Sequence, residues 1–182
     1  MAGLLGDDAV STLMAALYKP PRRKVFVSYH HGGDQGYYNE FSRFFHDQFE
    51  AVFDNSLERQ IESDNVDYVM QRIRDNHLTG TSCTIVLIGA QTYQRKYVDW
   101  EIKATLDKQH GLFGIVLPTH IQNQSGQIIV PDRFNDNVNS GYAVWTHWHG
   151  LTVQRFTELL NASIAKPTLL IDNSRAMRQR NG

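Results

Sequence analysis

One stretch of this 182-residue chain, Thr84-Ile85-Val86-Leu87-Ile88 running straight into Gly89, constrains its fold more than any other. A short apolar run ending at a glycine reads as a strand buried on both faces, the condition of central strands in parallel sheets. Similar runs occur at Val25-Phe26-Val27-Ser28-Tyr29, Ala51-Val52-Phe53, Phe113 to Leu117 and Tyr142-Ala143-Val144-Trp145. Between them apolar residues recur at helical spacing: Tyr37, Phe41, Phe44, Phe45 and Phe49; Val66, Val69, Met70 and Ile73; Val98, Ile102 and Leu106; Phe156, Leu159, Leu160 and Ile164. Strands alternating with amphipathic helices predict an α/β, flavodoxin-like three-layer sandwich around a central, mostly parallel five-stranded sheet. The order of the strands is not fixed by this pattern.

The rest of the chain divides around that domain, placed at 22–171. Residues 1–21 read as an N-terminal helical arm, with Asp7 or Asp8 as cap, Val10, Leu13, Met14 and Leu17 on one face, and Pro20-Pro21 as the stop. Residues 172–182 read as a flexible C-terminal tail. His30 to Gly36 reads as a glycine-rich loop, and Pro118 to Gly141 as a long loop able to act as a lid, with Arg133 and Asn137 in it. Eighteen basic and 19 acidic residues leave a net charge of −1, which gives no electrostatic reason for a nucleic-acid or anionic-membrane partner. No apolar run approaches the roughly 18 residues of a membrane span. The N-terminus lacks the pattern of a secretory signal, and Cys83 is the single cysteine, so a reducing cytoplasm is expected. Cys83 itself reads as core rather than nucleophile.

In open α/β sheets ligands bind just beyond the carboxyl ends of the strands. The segment after Ile88 is therefore the place to look: a glycine, a polar loop with Arg95 and Lys96, then a helix from about Tyr97 with Glu101 in its first turn. Glu101 stands where a catalytic acid could meet a nucleotide, although an acid in a first turn also suits the helix dipole. Gly89 would let a ligand approach the backbone. Thr92 could donate to a phosphate or cap the turn, and Arg95 and Lys96 could meet a diphosphate or remain solvated. Trp100 could stack on a ring or belong to the core. Phe26 and Ser28 share one face of the first strand, while Ser28, Tyr29 and His30 stand at its carboxyl end, followed by His31. His147 and His149 share a strand face, but with one cysteine and no His-Glu motif a metal site is not expected. There is no Walker A pattern and no Gly-x-Gly-x-x-Gly.

Three pieces in order, Val25 to His30, Val52-Phe53-Asp54-Asn55-Ser56, and Thr81 through Ile102 with Trp100-Glu101-Ile102, resemble the bacterial TIR-like domains. The nearest likeness is to the TIR proteins (ThsB) of the Thoeris antiphage defence system, over roughly Lys24 to Trp148. The resemblance implies an enzyme that cleaves NAD between nicotinamide and ribose and cyclises the ADP-ribose into a signalling nucleotide. It implies NAD as substrate with no resident cofactor, a phage-derived trigger, and a separate effector reached by the diffusible nucleotide. It also leaves room for a homo-oligomer. Its catalytic glutamate falls on Glu101. The residues themselves offer Phe26, Ser28, Tyr29, His30, Gly89, Thr92 and Trp100 as candidate substrate contacts. Loss of nicotinamide creates an oxocarbenium-like ribose, and the leaving group already carries a positive nitrogen. One carboxylate could then suffice, to steady the cation and hold the ribose. Two other readings stand beside this one: a non-catalytic TIR adaptor working by self-assembly or partner binding, and a nucleoside deoxyribosyltransferase-like enzyme.

Overall fold

A computed structural model describes residues 23–47, 49–52 and 65–182. The expected N-terminal arm and the segment Phe53-Asp54-Asn55-Ser56 lie outside the described residues. In chain order the elements are β1 (Arg23–Ser28), α1 (His31–Phe45), β2 (Phe49–Val52), and α2 (Val66–Arg72), which runs on as a π-helical turn over Ile73–Leu78. Then come β3 (Cys83–Ile88), α3 (Lys96–Asp107), β4 (Gly111–Val116), α4 (Asp132–Asn139), β5 (Val144–His147) and α5 (Val153–Ile164). The strands pair in the order β2-β1-β3-β4-β5, and every pair is parallel. This is the flavodoxin-like order, in which the chain reverses direction across the sheet between β1 and β3.

Both faces of the sheet are covered, which is why β3 and β4 are buried at every residue. Against one face, α1 and α5 bring Phe41, Phe45, Phe156, Leu159 and Leu160 onto Val25, Val27, Ile85, Leu87, Phe113 and Ile115. Against the other, α3 lays Val98, Ile102 and Leu106 on Val86, Ile88, Leu112 and Val116. Trp100 and Ala104 pack there with Phe26 and with Val69, Met70 and Ile73 from α2 and its π-helical turn. Cys83 lies wholly buried in β3, and burial pushes its thiol up to about 12, which suits a core residue and not a nucleophile.

Three expectations about irregular segments need correction. The stretch His30 to Gly36 is not a loop: α1 starts at His31 and contains Gly32, Gly33 and Gly36. Its glycines hide the helix from a propensity reading, yet they serve packing, because a Cβ on Gly32 or Gly33 would come within 3.2 or 3.1 Å of the His30 ring. The stretch from Pro118 to Gly141 is not one long loop, since α4 occupies Asp132–Asn139. That helix was invisible because its buried face is largely polar, with Arg133 and Asn137 wholly buried beside Phe134. Residues 172–182, expected to be a flexible tail, are bonded back onto the domain. Asn137 clasps Asp172 by two bonds, Nδ2 to the Asp172 carbonyl (2.7 Å) and the Asp172 amide to Oδ1 (3.1 Å). Arg133 donates to Asn173 Oδ1 and to the Ala176 carbonyl.

Candidate functional site

Because β1 and β3 are neighbours with α1 and α3 leaving them on opposite faces, the carboxyl ends of the two strands meet the start of α1 and the segment from Gly89 to α3, which is where α/β sheets take their ligands. The helix α3 begins at Lys96, so Glu101 falls in its second turn and Asp99 is the acid of its first. The dipole argument therefore belongs to Asp99, and Glu101 instead turns toward the sheet. It is 6% exposed. Ser28, the last residue of β1, donates from Oγ to Glu101 Oε2 at 2.6 Å. One turn further on, Thr105 donates to the Glu101 carbonyl at 2.7 Å, and its oxygen lies 2.6 Å from Thr84 Oγ1. Since the Thr105 proton is committed to that carbonyl, Thr84 is the donor of the pair. A narrow polar seam thus runs between α3 and the β1–β3 pair, with the Glu101 carboxylate at the end nearest the carboxyl ends of the strands.

A second carboxylate stands on the other side of these strand ends, and the sequence reading missed it. Asp34, in the first turn of α1, is 2% exposed. It accepts hydrogen bonds from Thr92 Oγ1 (3.2 Å) and Thr119 Oγ1 (3.4 Å), while Thr92 Oγ1 accepts from the Gly89 amide (2.9 Å). Burial holds its carboxyl above the usual aspartate range, opposed by the Thr92 bond and by the nearby charges of His30 and Arg95. A Cβ on Gly89 would collide with the Asp34 carboxylate. Gly89 is thus a glycine that makes room for Asp34. The one sequence signal for this pair was an acid among the glycines after β1, read there as a loop residue.

The other expected site residues separate. Phe26 shares the Ser28 face but lies in the core, its ring 5.6 Å from that of His77. Tyr29 points to the opposite face, stacked on Tyr38 at 4.5 Å with its hydroxyl on Gln35. His30 precedes α1 at the carboxyl end of β1 and is 8% exposed. Thr92 is wholly buried and ties the turn after β3 together. Trp100 is core, one of its two readings from the sequence: it is 3% exposed, with its indole N–H on the Arg178 carbonyl at 2.8 Å. Arg95 donates to Gln91 Oε1, and the Lys96 ammonium lies over the Tyr97 and Trp100 rings. Arg133, proposed as a lid residue, is instead locked to Asp99 at 2.9 Å. His147 and His149 are exposed, and among the described residues no group of three or more His, Cys, Asp or Glu could hold a metal ion.

Parallel α/β architecture with strand order β2-β1-β3-β4-β5 and buried acids beside the β1–β3 switch point defines a flavodoxin-like domain. The family model for the TIR-like domain of the Thoeris protein ThsB matches residues 26–122, more than half of the chain, and the chain belongs to that family. A protein of Bacillus cereus (strain MSX-D12) named "Putative cyclic ADP-D-ribose synthase ThsB1" is 37% identical over 65 residues. That match covers 36% of this chain and 33% of the relative, so the chain spans about a third of the length of the curated relative it matches. No helix among the described residues is long and apolar enough to cross a membrane.

Proposed function

We propose that this chain is the TIR enzyme of a Thoeris-type antiphage defence. It cleaves NAD at the nicotinamide–ribose bond and cyclises the ADP-ribose into a nucleotide that activates a separate effector. The observation that carries this reading is the Ser28–Glu101 pair at the carboxyl end of β1, with the carboxylate buried and largely shielded from water. A negative charge held there is strengthened by the low local dielectric and is preorganised to steady a ribose cation as nicotinamide departs. The pyridinium leaves as a neutral molecule and takes no proton, so no second acid is required. A nucleophile within the same ADP-ribose then meets the cation at high effective concentration, and exclusion of water favours the ring over hydrolysis. The name of the Bacillus cereus relative supports a cyclic product. NAD is a substrate in this scheme, the reaction belongs in the cytoplasm, and a phage-derived trigger opens the closed site.

The test is nucleotide profiling by mass spectrometry, with purified protein plus NAD and with cells before and after phage infection. Wild-type protein is expected to release nicotinamide and a cyclic ADP-ribose isomer after infection. Glu101→Gln, melting like the wild type, should lose at least about a hundredfold in product formation. Normal turnover by that folded variant removes the mechanism. Base exchange on deoxynucleosides with NAD untouched assigns the chain to the deoxyribosyltransferase reading instead, and partner assembly without any nucleotide product assigns it to the adaptor reading.

A further inference from the structure

The helix that carries Glu101 starts without a cap of its own. Arg95, at the capping position of α3, makes no side-chain bond to the first turn. The missing acceptor comes from 85 positions away, where Asn181 Oδ1 takes the Lys96 amide at 2.9 Å. Gly182 adds a bond from its amide to the Gln94 carbonyl at 3.1 Å. The two residues just before Glu101 are held by one tail residue: the Arg178 amide donates to Asp99 Oδ2 (2.8 Å), and the Trp100 indole N–H donates to the Arg178 carbonyl (2.8 Å). Asp99 in turn is fixed from the other side by the wholly buried Arg133.

These bonds are polar and the segment that makes them has little apolar anchorage. Met177 packs on the Phe26–Trp100 cluster. Beside it a hollow of about 340 Å³, open to the surface, is lined by Tyr93, Asp99, Pro131, Arg175, Ala176 and Arg178. A segment fastened by a few polar bonds beside a hollow opens at lower free energy than a packed core element. We infer that residues 177–182 form a releasable strap whose attachment positions Glu101 against Ser28, with Asp99 and Trp100 as the positioning residues through which it acts. The inference rests on the reading of Glu101 as the catalytic residue, and it adds a second level of control: release of the strap unties the first turn of α3 and disables the carboxylate.

The experiment compares the full chain with a variant ending at Ala176, which keeps the Asn137, Arg133 and Arg175 contacts of the preceding residues. Three quantities are read: the melting transition, the carbon-13 signal of the Glu101 carboxyl, and kcat and KM for NAD cleavage under activating conditions. A cooperative transition, a shifted Glu101 signal and a kcat lowered by about 10- to 100-fold, with KM moved by less than about threefold, are expected for a misplaced catalytic group. An unmoved Glu101 signal, or unchanged kcat in the folded variant, overturns the inference. If the shortened chain does not fold, full-length Trp100→Phe removes a single strap bond while keeping an aromatic ring, and it carries the same readouts with a smaller loss. A full chain that never releases nicotinamide refutes the proposed reaction instead, and the Glu101 signal alone then decides whether the strap positions the carboxylate.

Discussion

Against one face of the sheet, Phe156 lies within ring contact of Phe41, Phe45, Phe49 and Phe113, at centroid distances of 4.4 to 5.9 Å. Against the other, beside the apolar contacts of α3, buried polar pairs join Ser28 to Glu101, Thr84 to Thr105 and, between α3 and α4, Asp99 to Arg133. The aromatic face draws its cohesion from dispersion and burial, which are non-directional and tolerate small shifts. The other face adds to its apolar contacts a set of directional bonds between groups that are costly to bury unpaired. A site that must hold one carboxylate in a fixed orientation is better built on the second kind of packing. The first kind keeps the sheet in place while α3 and the strap adjust.

The largest effect should come from breaking the aromatic face. Phe156→Ala removes a wholly buried ring from the centre of five, and loses about 3–5 kcal/mol by chemical denaturation. A loss under about 1 kcal/mol would mean that α5 collapses into the gap and that this face is not the anchor described.

A smaller effect, and a reversible one, separates the polar face. Thr105→Val leaves the Thr84 hydroxyl without its acceptor in a site closed to water, for a cost of about 1–3 kcal/mol. Adding Thr84→Val removes the orphan and should return most of that loss, read as a favourable coupling in the double-mutant cycle. Simple additivity of the two changes would show that the seam is not a bonded unit.

The same contrast explains what could be read from the sequence. The strands and apolar helices are legible because burial imposes a period on apolar side chains, and the runs at Thr84 to Ile88 and Val98 to Leu106 show it. Glu101 is legible because it follows a buried strand and a glycine at the place where α/β crevices form, and because the surrounding motif resembles a known family. Asp34, Arg133 and Asn137 are not legible, since each is buried by partners 30 or more positions distant that no local pattern announces. The glycines of α1 and the polar sequence of α4 speak against helices when read locally. The tail is the extreme case: residues 172–182 carry no period, and what fixes them is Asp99, Trp100, Arg133 and Asn137. The fifth strand shows a milder version. Expected at Tyr142 to Trp145, it begins at Val144, and the buried Tyr142 instead places its hydroxyl on the His110 carbonyl at the start of β4.

The smallest expected effect lies in pH. His77 is 5% exposed on the polar-seamed side, tilted against Phe26, and burial together with the Arg72 charge lowers its pKa from the ordinary 6.5. The unfolded chain therefore takes up a proton at 6.5 that the folded chain accepts only at lower pH. It follows that the stability from this residue is complete above 6.5 and is lost as pH falls from there through the folded value. His110, also lowered chiefly by burial, contributes with the same sign. Asp34, raised by burial, acts with the opposite sign, so urea midpoints of wild type should fall between about pH 7.5 and pH 5 by the histidine share less that of Asp34. His77→Leu should flatten part of that fall and change stability at about pH 7.5 by less than about 1.5 kcal/mol, leaving the His110 share in place. Equal slopes for the two proteins would mean that His77 protonates in the folded state as readily as in the unfolded one. The mixed packing around Phe26 would then be open enough to hydrate a charge, and the contrast between the two faces would be one of chemistry without a difference in dryness.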